Sequence, residues 1–457
     1  MVNITTRTTR NTHVNTLYKW YFLIYRLMSK YDFVFKKIHK LLFDLLIIFI
    51  PVNLAKHFIL SSSYVDGVLV DYLIPSIYLT DLVILLLLVS WLLENLLSYN
   101  KNMSKIILDK KVVILFVFLI FSTKSPISFV RFLKIVEFSL LAFYVYKNFT
   151  FKKDFEKLVT LLSISVIFEC VLGFIQFIKR SSLFTNYLFF GEQPYSYNTP
   201  GINIESFFGS KMIPPYGTFS HPNVFSGFLV FALTLIFYFS LTKRVKFLNV
   251  CAFFYGFFIL LLTKSFVSYS ALVFGVVLLG VWFFKKNTNM VAWSKILLKS
   301  FYAVLAINLL LFLIPKVEFF NSFSSVFRRV DLISASIQMF LKNPVFGVGL
   351  GLFTKNLLAF GGVRGVILFI QPVHNIYYLL LSECGLPALV LFLLLIRQLF
   401  RKIENFTIFS VVLLELLLIG TMDHYLFTLE QGMVIFWLTL GFVLSTIRKD
   451  EKSLARS

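Results

Sequence analysis

A chain of 457 residues that is 58% apolar, 18% aromatic and only 14% charged, with mean hydropathy +0.83, is too apolar to be a string of soluble domains. Its net charge of +22 is scattered over many short connections and forms no basic stripe, which excludes a nucleic-acid footprint. Backbone groups in lipid must bond internally, so the apolar segments read as helices and the fold class as an all-α polytopic membrane protein.

Residues 1–40 are basic and polar, so no secretory signal peptide is expected and the first apolar helix serves as the insertion signal. Spans of roughly 20 mostly apolar residues are centred near 48, 88, 117, 140, 167, 232, 256, 275, 306, 387, 413 and 438, about twelve in all. The first carries Asp44 and the third is short. With both termini cytoplasmic and the spans alternating, 30 of the 44 basic residues fall in inner segments, a positive-inside bias. The remaining reading of the charge is contact with anionic headgroups. The domains are then a basic cytoplasmic segment 1–40, a membrane domain 41–447 and a basic tail 448–457. Cys170, Cys251 and Cys384 all lie in apolar segments and read as small buried hydrophobes, without a disulfide framework or metal site.

Two connections on the expected outer side, 179–221 and 316–375, are far longer than the others. Long loops in compact proteins are commonly functional, and their aromatic, Gly and Pro content with sparse charge argues against disorder. The first ends in Tyr216-Gly-Thr-Phe-Ser-His-Pro-Asn223 at the entrance to the sixth helix. Pro222 suits a helix start and Asn223 a cap, whereas helix entry does not require His221. The second carries Arg328 and Arg329 at the head of a segment with apolar residues at 330, 333, 337 and 340, the stripe of a surface-lying amphipathic helix. Pro344 stops it, and Gly347, Gly349 and Gly351 allow unusual dihedrals or close backbone approach. A GxGxG outside a strand–turn–helix setting is no nucleotide signature. The guanidinium forks suit phosphate oxygens, with headgroup contact as the alternative.

The loop ends in His374-Asn375, nine residues, then Gly385. An imidazole here can take a hydroxyl proton near neutral pH; the plainer reading is a helix cap with an interfacial histidine. On a continuous helix Glu383 points about 180° away from His374, so a structural role is expected for it. Asp423-His424-Tyr425, between the last two spans, reads either as a carboxylate that orients a histidine or binds sugar hydroxyls, or as a turn. Asp81 reads as a helix cap, and Glu415 as either functional or bonded to a neighbouring helix.

Three of these patches, Gly217–Asn223, Arg329 with the helix and glycines to Gly351, and His374-Asn375 nine residues before Gly385, resemble the O-antigen ligase and polymerase family of membrane glycosyltransferases. The resemblance covers roughly 40–447. Two positions depart from its pattern: Ala388 stands where the family has Gly, Thr or Tyr, and Pro214 where it has an arginine, with Lys211 the nearest cation. The resemblance implies a polyprenyl-pyrophosphate-linked glycan as donor on the outer face of the cell membrane and a hydroxyl of a lipid or glycan as acceptor. It implies no cofactor. No DxD triplet occurs, so no metal is expected; Arg329, Arg328, Lys211 and Arg131 are candidate clamps for the leaving pyrophosphate and His374 the candidate base. His221, Asn223, Asn375 and Asp423 are candidate substrate contacts. The alternatives are a lipid-linked oligosaccharide flippase or other polytopic transporter and, within the class, a protein O-oligosaccharyltransferase. A transporter would cluster coupling charges at the midplane, where only Asp44, Glu137, Glu169 and Glu415 are found, singly.

Overall fold

The computed structural model describes residues 33–97, 109–184, 186–207, 209–243, 246–285, 293–311, 324–361 and 370–454. Residues 1–32 of the expected basic segment, and 316–323 and 362–369 of the second long loop, lie outside the described residues, as do the side chains of 448–457.

The helices follow the hydropathy. They are α1 (residues 33–49), α2 (Leu79–Leu97), α3 (Lys110–Phe121), α4 (Pro126–Asn148), α5 (Phe151–Lys179), α6 (Pro222–Thr242), α7 (Phe247–Leu262) and α8 (Phe266–Lys285). Then come α9 (Trp293–Leu311), α10 (Ser324–Lys342), the short α11 (Phe353–Asn356), α12 (Ile376–Arg401), α13 (Ile408–Ile419), the short α14 (Tyr425–Thr428) and α15 (Glu430–Leu454). Every expected span centre lies in one of these helices. Seven of the described helices are long and apolar enough to cross a membrane, fewer than the twelve expected. The difference has plain causes: the described part of α1 is 17 residues long, α3, α7 and α13 are only 12, 16 and 12, and α4 carries Arg131, Lys134, Glu137 and Lys147.

Two compact units emerge. In the first, residues 1–46 with 82–107, His39 Nε2 lies 3.1 Å from Glu94 Oε2. The second, residues 47–81 with 108–457, holds all the motifs. Within it α4 packs along α15, α5 against α7, α13 against α6 and α8, and α12 against α3 and α10. Helix α6 is enclosed on nearly every face, and its Phe225, Phe228 and Phe231 are fully buried.

Three short antiparallel hairpins interrupt the helical pattern in the connections: β1 (Ala55–His57) with β4 (Ser76–Tyr78), β2 (Tyr64–Val65) with β3 (Val68–Leu69), and β5 (Glu205–Phe207) with β6 (Ser210–Met212). The first long loop is anchored by the buried carboxylate of Glu192, which accepts from Gln176 Nε2 (2.6 Å) and from the amides of Leu183 and Phe184 (2.7 and 2.6 Å). Satisfying these polar groups inside the protein keeps an irregular segment ordered.

Helix α10 is amphipathic as read, but it packs on protein instead of lying on a surface. Its buried stripe is Leu332, Ile333, Ala335, Ser336 and Met339, about one position round from the expected one, and the Ser336 hydroxyl donates to the Tyr378 carbonyl of α12 (2.8 Å). Beyond α10 the glycine segment runs into a break in α12. Gly385 sits at φ 83°, ψ 176° with Pro387 following, so the helix opens its hydrogen-bond ladder there. The amides of Val348 and Gly349 bond to the carbonyls of Ser382 and Glu383 (2.8 and 3.0 Å), and Leu386 bonds back to the Pro344 carbonyl (2.9 Å). A Cβ on Gly385 would stand 2.2 Å from the Val345 carbonyl oxygen, which explains why the ninth residue after Asn375 is followed by glycine. Ala388 is fully buried with Leu119, Leu350 and Cys384, a close contact that its small side chain permits.

Candidate active site

The start of α6, the residues just before α12, the residues that follow α13 and the start of α15 come together in the second unit and wall a cavity of about 1660 Å³. His221 lies just before α6. It is the N-cap itself: its Nδ1 accepts the Asn223 amide (3.1 Å) with Pro222 at the first helical position. The Asn223 side chain, expected to cap, instead donates from Nδ2 to Asp423 Oδ2 (3.1 Å). Asn375 caps α12 by accepting the amides of Tyr377 and Tyr378 (2.9 and 3.0 Å) and donates to Asn308 Oδ1 and the Thr421 carbonyl (2.5 and 2.8 Å). With every polar atom so engaged and the residue fully buried, Asn375 fixes the helix start and does not line the cavity.

That helix start aims His374 at Asp423. Nδ1 of His374 stands 3.9 Å from Asp423 Oδ1, an ion-pair distance that is too long for a hydrogen bond, while its Nε2 meets Gln371 Oε1 at 3.2 Å. Asp423 Oδ1 also accepts the His424 amide (2.8 Å), and the His374 and His424 rings lie 4.9 Å apart. His424 is itself held by Thr428 Oγ1 at Nδ1 (2.7 Å) and by the edge of Tyr72 (5.3 Å between rings).

Burial governs the charges here. It pushes His221 down to about 4 and His424 down to about 3, so both are neutral at pH 7. Burial alone would raise Asp423, but the His374 ring beside it, then His424 and His221, outweigh it and hold the carboxyl below its ordinary range. The site is thus one carboxylate among imidazoles. Ligand atoms of His374, Asp423 and His424 lie within 4.8 Å of one another, a donor set that could close on a metal ion.

Of the residues singled out in the sequence, His374, Asp423, His221, Asn223, Arg328, Arg329 and Arg131 line this one cavity. Arg329 is near enough to His221 to disfavour its protonation. Arg131 is engaged with backbone: its two terminal nitrogens donate to the carbonyls of Thr428 (3.1 Å) and Tyr72 (2.9 Å), so it braces the α14 turn and the Tyr72 loop. Lys211 is exposed on β6 and is not among the lining residues, because the hairpin pairing with Ser206 turns it away. A cation that the motifs missed is Lys264, between α7 and α8, whose ammonium lies over the Phe207 ring (4.9 Å) at the cavity wall. Its signal was a lone lysine in a three-residue connection on the same side as the long loops. A second is Lys134 of α4, paired with Asp81 and with Glu430 Oε2 (3.0 Å). Asp81 also takes the Tyr78 amide (2.7 Å), the capping role read for it. Glu383 and Glu415 are structural as well, the latter accepting the Thr234 hydroxyl from α6 (2.8 Å).

Helices able to cross a membrane, with an arginine- and histidine-lined chamber, define a multi-pass membrane protein. Residues 251–393, from α7 into α12, match the family model of the O-antigen ligase, which supports the family read from the motifs and a glycosyltransferase-like role in O-antigen assembly. That stretch includes Arg328, Arg329 and His374, while His221, Asn223 and Asp423 lie outside it. No curated protein matches the chain.

Proposed function

We propose that the chain is a metal-independent glycosyltransferase of the cell membrane, with both termini cytoplasmic. It moves glycan from a polyprenyl-pyrophosphate carrier to a hydroxyl of a lipid or glycan on the outer face. The observation that carries this reading is the shared cavity: the arginine pair, a histidine and a carboxylate that polarises it line one chamber large enough for donor and acceptor together.

In this reading the acceptor hydroxyl gives its proton to His374 as its oxygen attacks the anomeric carbon. The carbon–oxygen bond to the carrier breaks, and the bonding electrons leave with the polyprenyl pyrophosphate. Asp423, 3.9 Å from Nδ1, stabilises the imidazolium that forms on His374, and Gln371 Oε1 holds Nε2 at 3.2 Å. Arg328, Arg329 and Lys264 take up the charge developing on the pyrophosphate, a task fixed cations perform without a metal. Tyr195 and Tyr216, whose tilted rings lie 4.9 Å apart along the wall next to His221, offer aromatic surface to sugar rings. Ligase, polymerase and protein O-glycosyltransferase differ in this scheme only in the acceptor.

The test is transfer by purified protein from a lipid-linked glycan donor in excess chelator. Product should form, and His374→Ala should lower the rate by on the order of 10²–10⁴. Activity that vanishes in chelator and returns with magnesium or manganese, or a His374→Gln variant with near-normal turnover, would refute the metal-free base mechanism.

A further inference from the structure

Two imidazoles and one carboxylate converge in the site, with one donor atom of each within 4.8 Å of the others. The bond from His374 Nε2 to Gln371 Oε1 places the ring proton on Nε2, and Nδ1 is left buried with no hydrogen-bond partner. The Thr428 hydroxyl meets His424 at Nδ1 (2.7 Å) and at its carbonyl (3.2 Å), so Nε2 is the ring nitrogen that Thr428 does not engage. Beside them Asp423, held below its ordinary range, stands 3.9 Å from His374 Nδ1, and its Oδ1 accepts the His424 amide. Such atoms repel one another unless something cationic lies among them. A proton on His374 is one such cation; a metal ion held by the three side chains is another.

We propose that His374, Asp423 and His424 form an inhibitory site for a divalent transition ion of the zinc class, whose capture of the His374 lone pair stops transfer. The consequence for transfer rests on the function proposed above; ion binding does not. Two imidazole nitrogens and one carboxylate oxygen are the donors such ions prefer, while magnesium favours all-oxygen shells. Ligands of a tetrahedral zinc lie about 3.3–3.5 Å apart, so donors now within 4.8 Å of one another need to close by roughly 1 Å. The supporting bonds are in place: Asn223 holds the far oxygen of Asp423 (3.1 Å), and Thr428 and Gln371 hold the far nitrogens of the two rings. Such outer bonds orient ligands and raise their basicity. The fourth coordination position opens on the cavity.

The experiment titrates zinc chloride calorimetrically into metal-stripped, full-length protein in lipid nanodiscs, with thermal midpoints reporting the folding of every variant. One ion per chain should bind, magnesium chloride should give no comparable heat, and His424→Asn and His374→Gln should each weaken zinc at least tenfold. Either variant suffices if the other fails to fold. Zinc should inhibit transfer over the concentrations at which it binds, and chelator should restore it. Absence of saturable binding, binding unchanged in the folded variants, or a zinc-saturated protein that transfers as fast as the stripped one would overturn the proposal. If the stripped protein transfers no glycan, the transferase reading falls while the calorimetry still decides the ion site.

Discussion

The carboxylate of Glu383 in α12 accepts the amide of Gly351 at 2.9 Å and that of Phe353 at 3.1 Å, so a helix side chain holds the end of the glycine segment that is threaded into the same helix. Gly351 at φ 70° packs against the Arg131 side chain, which in turn holds Thr428 and Tyr72. Glycine segment, α12 break and the α14 turn are therefore one connected assembly.

Glu383→Ala should leave two buried amides unpaired and lower stability by about 1–3 kcal/mol for each that water cannot reach. Glu383→Gln keeps one acceptor oxygen and should lose less. Thermal midpoints of the purified variants check this, and an alanine variant as stable as the parent would show that the carboxylate is dispensable to the fold.

Arg329→Ala should cut transfer by on the order of 10²–10³, the usual cost of removing one preorganised stabiliser of developing charge, with the protein still inserted. Arg329→Lys should recover only part, because an ammonium keeps the charge but loses the two-pronged geometry. Single-turnover rates with a saturating lipid-linked donor distinguish the two; equal rates in parent and alanine variants would remove Arg329 from the chemistry.

Acid should destabilise the protein partly through His221. The unfolded chain takes up a proton there near 6.5, whereas burial delays protonation in the folded state to about 4. Protons therefore favour unfolding across that window: the contribution is fully present above pH 6.5, falls as pH is lowered to about 4, and is flat below. His221→Asn retains a good N-cap and should flatten the decline in thermal midpoint between these limits. A variant with the parent's slope would assign the acid sensitivity elsewhere.

The proposed orientation makes its own demand. In a cysteine-free background, an impermeant maleimide added to intact cells should label Ser196→Cys in the first long loop and spare Glu404→Cys between α12 and α13, both exposed positions. Labelling of the second position alone would invert the topology.

Hydropathy located the helices because burial in lipid is a property of composition; it does not by itself settle which of them span, since α3, α7 and α13 are apolar but short. The site was legible where chemistry and punctuation coincide: His374 before a cap, Arg329 on an amphipathic helix, His221 before Pro222. Lys211 misled because neighbours in sequence do not reveal which side of a hairpin pair faces inward. Lys264 and the bonds of Asn223 to Asp423 and Arg131 to Thr428 were hidden because their partners lie 200 and 297 residues apart in the chain.

The opened ladder of α12 also limits how such chains can be recombined. Pro344 and Val348 complete hydrogen bonds that the helix lacks at Gly385, so the segment after α10 and the first half of α12 function as halves of one joint. A chimera that exchanges the second long loop between relatives at the boundary of α12 would pair a helix cut for one insert with another. The loop should therefore be exchanged as a cassette from Arg328 through Ala388, with both sides of the joint moving together.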